Sequence, residues 1–209
     1  MYATQEEMIE KQIKKRGVKD PEVIRAMWEV DRALFVPAEL QEKAYEDSPL
    51  PIGEDQTISQ PYIVAYMVEQ LQLNSEAVVL EVGTGCGYNA AVLSRIVKHV
   101  YSIEIIGWLT DLARKNLENA GIENVSTRND DGYKGWPEKA PFDAIILTAA
   151  PAFIPGPLKK QLKIGGKLLA PVGKMNQRLI MVERTGEESF KERTLLLVSF
   201  VPMTGEAQK

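Results

Sequence analysis

The ten residues Val78-Val79-Leu80-Glu81-Val82-Gly83-Thr84-Gly85-Cys86-Gly87 constrain this chain more than any other stretch. An apolar run of strand length that ends in alternating glycines, with an amphipathic pattern after it, reads as a buried strand turning sharply into a helix. Glycine lets the backbone take positive φ and lets a ligand come close, and the N-terminus of the following helix offers free N–H groups. The result is a socket of nucleotide shape. The dinucleotide fingerprint G-x-G-x-x-G would require glycine where Tyr88 stands, so the spacing is G-x-G-x-G, with Glu81 two residues upstream.

From Val78 onward, apolar runs alternate with amphipathic stretches, the mark of βαβ units around a buried parallel sheet. Strands are expected over 78–82, 99–104, 125–129, 142–147 and 167–172. Helices are expected over 88–97, 107–120 and 157–162, with Gly121 and Gly165-Gly166 as stops. Two later apolar runs, 179–183 and 195–201, flank a charged turn and predict an antiparallel pair at the sheet edge. The fold class is therefore α/β, with a mostly parallel central sheet, helices on both faces and an antiparallel edge pair at the C-terminus. Upstream, Thr4 and Glu7 have capping-box spacing and Gly17 is placed to end that helix. Asp20-Pro21 then starts a second helix, through about Val30. Between Phe35 and Ser59 runs a long connection broken by Pro37, Pro49, Pro51 and Gly53, and a loop of that length in a compact domain is usually functional or loosely ordered. No composition shift divides the 209 residues. A single domain is expected, made of N-terminal helices and loop (1–72), a βαβ core (73–174) and edge strands (175–209).

Two more acids stand where a strand should end. Glu104 closes the second strand, about 20 residues beyond the first glycine, where a carboxylate can accept from both ribose hydroxyls. Asp131-Gly132 follows the third strand, where the acid could accept from an adenine amino group and the glycine leave room for the ring. Ligands of open α/β sheets bind beyond the carboxyl ends of the strands, so these acids converge on one crevice. Taken singly, each has a plain alternative as a tight connection, a solvated strand end or a turn dipeptide. Taken in strand order, they make Glu81, Gly83, Gly85, Gly87, Glu104, Asp131 and Gly132 a candidate cofactor set. The glycine turn with its upstream acid resembles motif I of class I S-adenosylmethionine methyltransferases. That resemblance implies a Rossmann-like fold, S-adenosyl-L-methionine as cofactor and S-adenosyl-L-homocysteine as product.

The residues from Ala44 to Tyr62, centred on Gln56-Thr57-Ile58-Ser59-Gln60-Pro61, look like the signature of the protein-L-isoaspartate (D-aspartate) O-methyltransferase family. So do Asp31-Arg32-Ala33-Leu34-Phe35-Val36-Pro37, Asp131 to Pro137, Thr148-Ala149-Ala150, Gly165 to Leu168 and Phe200 to Gly205, in order along the chain. Many bacterial members of that family have glycine where Asp55 and Asp130 stand, and commonly arginine where Ser199 stands. The resemblance implies repair chemistry: methyl transfer to the α-carboxylate of L-isoaspartyl residues in damaged proteins and peptides. An ionised carboxylate, with an unperturbed pKa near 4, needs no general base at neutral pH. Within the resemblance Ser59 is the candidate catalytic residue, with Thr57 beside it, orienting the substrate carboxylate by hydrogen bonding. On the residues alone, Ser59 could equally be the N-cap of the apolar helical stretch after Pro61. The competing readings are a methyltransferase acting on RNA or a small molecule, and a nonenzymatic protein that kept the fold.

A formal net charge of −4 argues against a broad phosphate-binding surface, so no nucleic-acid partner is expected. The polar start of the chain and the lack of a long apolar run predict neither export nor membrane insertion. One cysteine, Cys86, cannot form an internal disulfide, which fits a cytoplasmic location. Cys86 reads as a small filler, and His99 has no metal-ligand spacing around it. No metal is expected, and the chain is expected to act as a monomer.

Overall fold

The computed structural model describes residues 3–208. Thr4 and Glu7 form the expected capping box around α1 (Gln5–Glu7), and the coil then widens to a π-helix over Met8–Ile13 before tightening to a 3₁₀ turn over Lys14–Arg16. Gly17 ends it at φ 101°. Asp20 caps α2 (Pro21–Glu29) by accepting from the Glu22 and Val23 N–H groups, with Pro21 in the first turn.

The connection expected to be irregular holds a small hairpin. Strand β1 (Leu50–Gly53) pairs antiparallel with β2 (Gln56–Ile58) through a turn in which Glu54 and Asp55 both have positive φ. Pro51 and the few residues per strand left no period-2 signal for it. Helix α3 (Pro61–Leu71) follows, and its N-cap is Gln60, with no side-chain cap bond. Ser59 is therefore not the cap that its position suggested.

The sheet forms as the apolar runs dictate. Strands β3 (Val78–Val82), β4 (His99–Glu104), β5 (Val125–Asn129) and β6 (Phe142–Leu147) have the expected bounds, with α4 (Tyr88–Ser94) and α5 (Gly107–Asn119) between them. After α6 (Gly156–Lys160) come β7 (Leu162–Val172), β8 (Arg178–Arg184) and β9 (Phe190–Leu197). The order across the sheet is β5-β4-β3-β6-β7-β8-β9, parallel through β7 and antiparallel beyond it. Alternate strand residues serve two cores. Val79, Val100, Ala144, Ile146 and Leu169 pack with Met8, Met27, Val64 and Leu93 on one face. Leu80, Val82, Ile103, Ile145 and Leu168 pack with Leu158 and Met203 on the other, where α6 and short 3₁₀ turns replace long helices.

Several boundaries differ from the sequence reading. Strand β7 begins at Leu162, opposite Phe142, and then shifts register. Gly165-Gly166 therefore sits inside that irregular stretch rather than ending a helix, and a Cβ on Gly166 would stand 2.9 Å from the Lys163 carbonyl. At the C-terminal end, β9 runs from Phe190 to Leu197 and carries Lys191, Glu192 and Arg193, charges that an edge strand tolerates. Residues 198–201 leave the ladder because the buried Gln177 side chain takes them instead, its Nε2 donating to Phe200 O and its Oε1 accepting from Phe200 N. Helix α4 stops at Ser94, with a turn completing the stretch expected to be helical. Among the described residues no helix is long and apolar enough to cross a membrane.

Candidate cofactor cleft and active site

The glycine turn stands at the carboxyl end of β3 with φ of 100° at Gly83, 55° at Gly85 and 91° at Gly87. Its glycines have different reasons to be there. A Cβ on Gly83 would collide with the Thr148 hydroxyl, which donates to the Gly83 carbonyl and ties β3 to the end of β6. A Cβ on Gly132 would collide with Val82 Cγ1. Gly87 faces α5, where a Cβ would lie 3.3 Å from Leu117 and 3.4 Å from Ala113, so it serves packing rather than the cleft.

Glu104, only 6 % exposed, spans the turn and the next segment. Its Oε2 accepts from the Gly85 N–H at 2.8 Å and its Oε1 from the Ile106 N–H at 3.0 Å. Each oxygen keeps a further lone pair for a ligand hydroxyl. Glu81 lies behind the turn, fully buried, its Oε1 accepting from Asn89 Nδ2 at 2.8 Å and its Oε2 from the Ser102 hydroxyl. Ser102 in turn stands 2.6 Å from the Thr84 hydroxyl. Burial pushes the Glu81 carboxyl up to about 7, against the pull of the hydrogen bonds from Ser102 and Asn89, while the nearby Glu104 charge adds to the rise. Glu81 thus reaches the cleft through Asn89 and Thr84, which line it.

Asp131 stands just after β5, where the sequence reading placed it, and is anchored there by main-chain donors. Its Oδ1 accepts from the Tyr133 N–H at 2.9 Å and its Oδ2 from the Glu206 N–H at 2.9 Å, so it caps one 3₁₀ turn (Gly132–Lys134) and anchors another far along the chain (Gly205–Gln208). Those backbone donors have no partner within such short turns, and each Asp131 oxygen, like those of Glu104, keeps a further lone pair. Gly132, Glu104, Gly83 and Gly85 all line a cleft of about 800 Å³, counting the space open to solvent, together with Ile58, Ile105, Ile106, Val201 and Met203.

A second groove opens beyond that cleft, bounded by Arg16, Tyr62, Ile63 and the segment Leu196 to Val201. Thr57, Ser59, Thr148 and Val201 line both spaces and form the wall between them. Two hydrogen bonds hold that wall on the C-terminal side, Ala150 N–H to Val201 O and Met203 N–H to Ala150 O, both at 2.8 Å. Arg16 is the one charged residue lining the groove; its guanidinium lies 3.5 Å above the Tyr62 ring and pairs with Asp47 at 2.9 Å. Sequence reasoning gave no role to Arg16 or to Arg32, a fully buried cation beneath the hairpin. Local periodicity carries no signal for a charge that is buried through tertiary contacts. Cys86 is buried and its thiol is pushed up to about 11 by desolvation, which makes it a poor nucleophile. His99, its pKa lowered by burial, faces Ser126 outside the cleft. Among the described residues no group of three His, Cys, Asp or Glu could hold a metal ion.

Sheet order, glycine turn and strand-end carboxylate together define a Rossmann-like methyltransferase of class I. The chain belongs to the protein-L-isoaspartate(D-aspartate) O-methyltransferase family, whose model matches residues 3–208. A protein-L-isoaspartate O-methyltransferase 2 from Pelobacter propionicus is 52 % identical over 200 residues, covering 95 % of this chain and 89 % of the relative. Another, from Shewanella sediminis, is 52 % identical over 206 residues, with 98 % and 84 % covered. A solved protein-L-isoaspartate O-methyltransferase superposes with TM-score 0.86 at 31 % identity over 98 % of this chain and 67 % of its own. A Plasmodium falciparum protein of the same name, in complex with S-adenosyl-L-homocysteine, has TM-score 0.85 at 23 % identity over 97 % and 99 %, and shows the same fold.

Proposed function

We propose that the cleft holds S-adenosylmethionine, that the groove beside it holds an isoaspartyl segment of a damaged protein, and that the methyl group crosses at the wall between them. The shared wall carries this reading, because Thr57, Ser59, Thr148 and Val201 belong to both spaces and bring the two reactants to one boundary. The residues present suit the donor: glycines at the turn, a carboxylate with free lone pairs that would hold the ribose hydroxyls, and apolar walls that would take an adenine ring. Once bound, S-adenosylmethionine supplies a methyl group on a positively charged sulfur.

The remaining steps belong to the chain. Glu104 accepts from the ribose hydroxyls with the lone pairs that Gly85 and Ile106 leave free. Asn89 and Thr84, steadied by Glu81 and Ser102, would give further polar contacts in the cleft. Ser59, half-buried at the wall and not engaged as a helix cap, donates to the substrate carboxylate and aligns one oxygen for in-line attack. Thr57 stands beside it on β2. No residue has to remove a proton, since the carboxylate is already ionised. Alignment turns a two-body encounter into a near-unimolecular step, and the apolar surfaces of Ile58, Ile105 and Val201 strip water from the nucleophile.

All three parts of the chain contribute to the wall, so we read residues 1–209 as one working domain, acting as a monomer in the cytoplasm. The test is transfer of radiolabelled methyl to an isoaspartyl peptide and to its aspartyl twin. Incorporation into the first alone is expected; equal labelling, or none, would sink the reading.

A further inference from the structure

Arg32 lies in a 3₁₀ turn (Arg32–Phe35) capped by Asp31, and its side chain is fully buried. Three of its N–H groups donate to main-chain carbonyls, and its guanidinium carbon lies 5.5 Å from the centre of the Tyr88 ring. Nε donates to Ala44 O at 2.7 Å, Nη2 to Ser48 O at 3.2 Å and Nη1 to Ser59 O at 3.1 Å. A guanidinium in that position is expensive to desolvate, and only its charge-assisted hydrogen bonds offset the cost. Stability alone is poorly served by such an arrangement, since apolar side chains of similar volume often do as well in its place.

The carbonyls it joins explain what else it does. Ser48 and Ser59 are the two ends of the segment that forms the β1–β2 hairpin, and that hairpin carries Thr57 into the wall. One rigid planar group therefore fixes the separation of the hairpin's ends and the carbonyl of Ser59 itself. A lysine ammonium, a point charge without a fork, cannot reproduce three such bonds in one plane. No hydrogen bond from Arg32 runs to the glycine turn or to Glu104.

We propose that Arg32 is a positioning residue for methyl transfer, holding Ser59 and Thr57 in register with the cofactor cleft by clamping the carbonyls of Ala44, Ser48 and Ser59. The inference rests on the functional reading above. An offset of about 1 Å at a reacting centre can cost about a hundredfold in rate, so kcat is where the loss belongs.

The experiment compares wild type, Arg32→Lys and Arg32→Met for S-adenosylhomocysteine affinity by calorimetry and for kcat and KM on an isoaspartyl peptide. In Arg32→Lys, affinity is expected to stay within about threefold while kcat falls about tenfold or more. In a Ser59→Ala background the same substitution is expected to cost less than it does in wild type, because residues that act through one another are not additive. If Arg32→Met fails to fold, the lysine variant decides alone. An Arg32→Lys protein with full kcat, with affinity and kcat lost in equal proportion, or with an undiminished loss in the Ser59→Ala background overturns the inference. Wild type inactive on the peptide would overturn the functional reading and this inference with it, whereas wild type and Arg32→Lys equally active overturns this inference alone.

Discussion

Replacing Glu81 by Gln tests the electrostatics behind the glycine turn. The carboxyl is fully buried and pushed from an ordinary 4.5 up to about 7, chiefly by desolvation. A carboxyl whose folded pKa lies above its unfolded one holds its proton more tightly in the native state. Its effect on stability is therefore most favourable below about pH 4.5 and is lost as pH rises from there towards 7. At about 1.4 kcal/mol per pH unit, the loss between pH 5 and pH 8 comes to roughly 2–3 kcal/mol. Glutamine keeps one acceptor for Asn89, and Ser102 can turn its hydroxyl proton towards Thr84, so the hydrogen bonds survive without the charge. Urea unfolding of both proteins at several pH values is the assay. The stability of Glu81→Gln relative to wild type is expected to grow by about 2–3 kcal/mol from pH 5 to pH 8. A difference independent of pH would refute the reasoning, since it would mean that Glu81 titrates alike in folded and unfolded chains.

Other perturbations separate the roles around the cleft. Glu104→Gln is expected to weaken S-adenosylmethionine binding by about 1.5–3 kcal/mol, the range for a hydrogen bond to a charged group, and an unchanged affinity in calorimetry would show the ribose held elsewhere. Ser59→Ala is expected to leave that affinity nearly unchanged and to lower the rate on an isoaspartyl peptide; an unaffected rate would remove Ser59 from the mechanism. Asp131→Asn keeps an acceptor for the Tyr133 N–H but sets an amide donor against the Glu206 N–H, and is expected to cost about 1–3 kcal/mol in unfolding experiments, with cofactor affinity held within about twofold. A tenfold loss of affinity would return Asp131 to the adenine. In Gly132→Ala the new methyl meets Val82 Cγ1, and overpacking of that kind destabilises by about 1–3 kcal/mol; an unmoved denaturation midpoint would show that Val82 yields freely.

The core strands could be read from the chain because each is an apolar run between glycines or polar turns, and burial on both faces makes such runs unambiguous. Glu104 could be found because a strand end and a fixed offset from the glycines locate it. Asp131 shows the limit of that logic. Position brought it to the sheet's rim, but its anchors there, the Tyr133 and Glu206 N–H groups, could not be read, since Glu206 is remote in sequence. The hairpin and the end of β9 were lost for related reasons. Pro51 hides a short strand, and a side chain, Gln177, replaces the ladder where 198–201 peel away. Arg32 and Arg16 were invisible because their partners, main-chain carbonyls for one and the Tyr62 ring and Asp47 carboxylate for the other, are distant in sequence.

The boundary between the two cavities draws residues 57 and 59 from one end of the chain, 148 from the middle and 201 from near the other end. On the proposed reading the transfer site assembles only once contacts of such sequence separation have formed, after loop closure has been achieved. Turnover is thus an all-or-none reporter of complete folding. An enzyme that mends ageing polypeptides would, by this construction, fall silent as soon as its own last segment came loose.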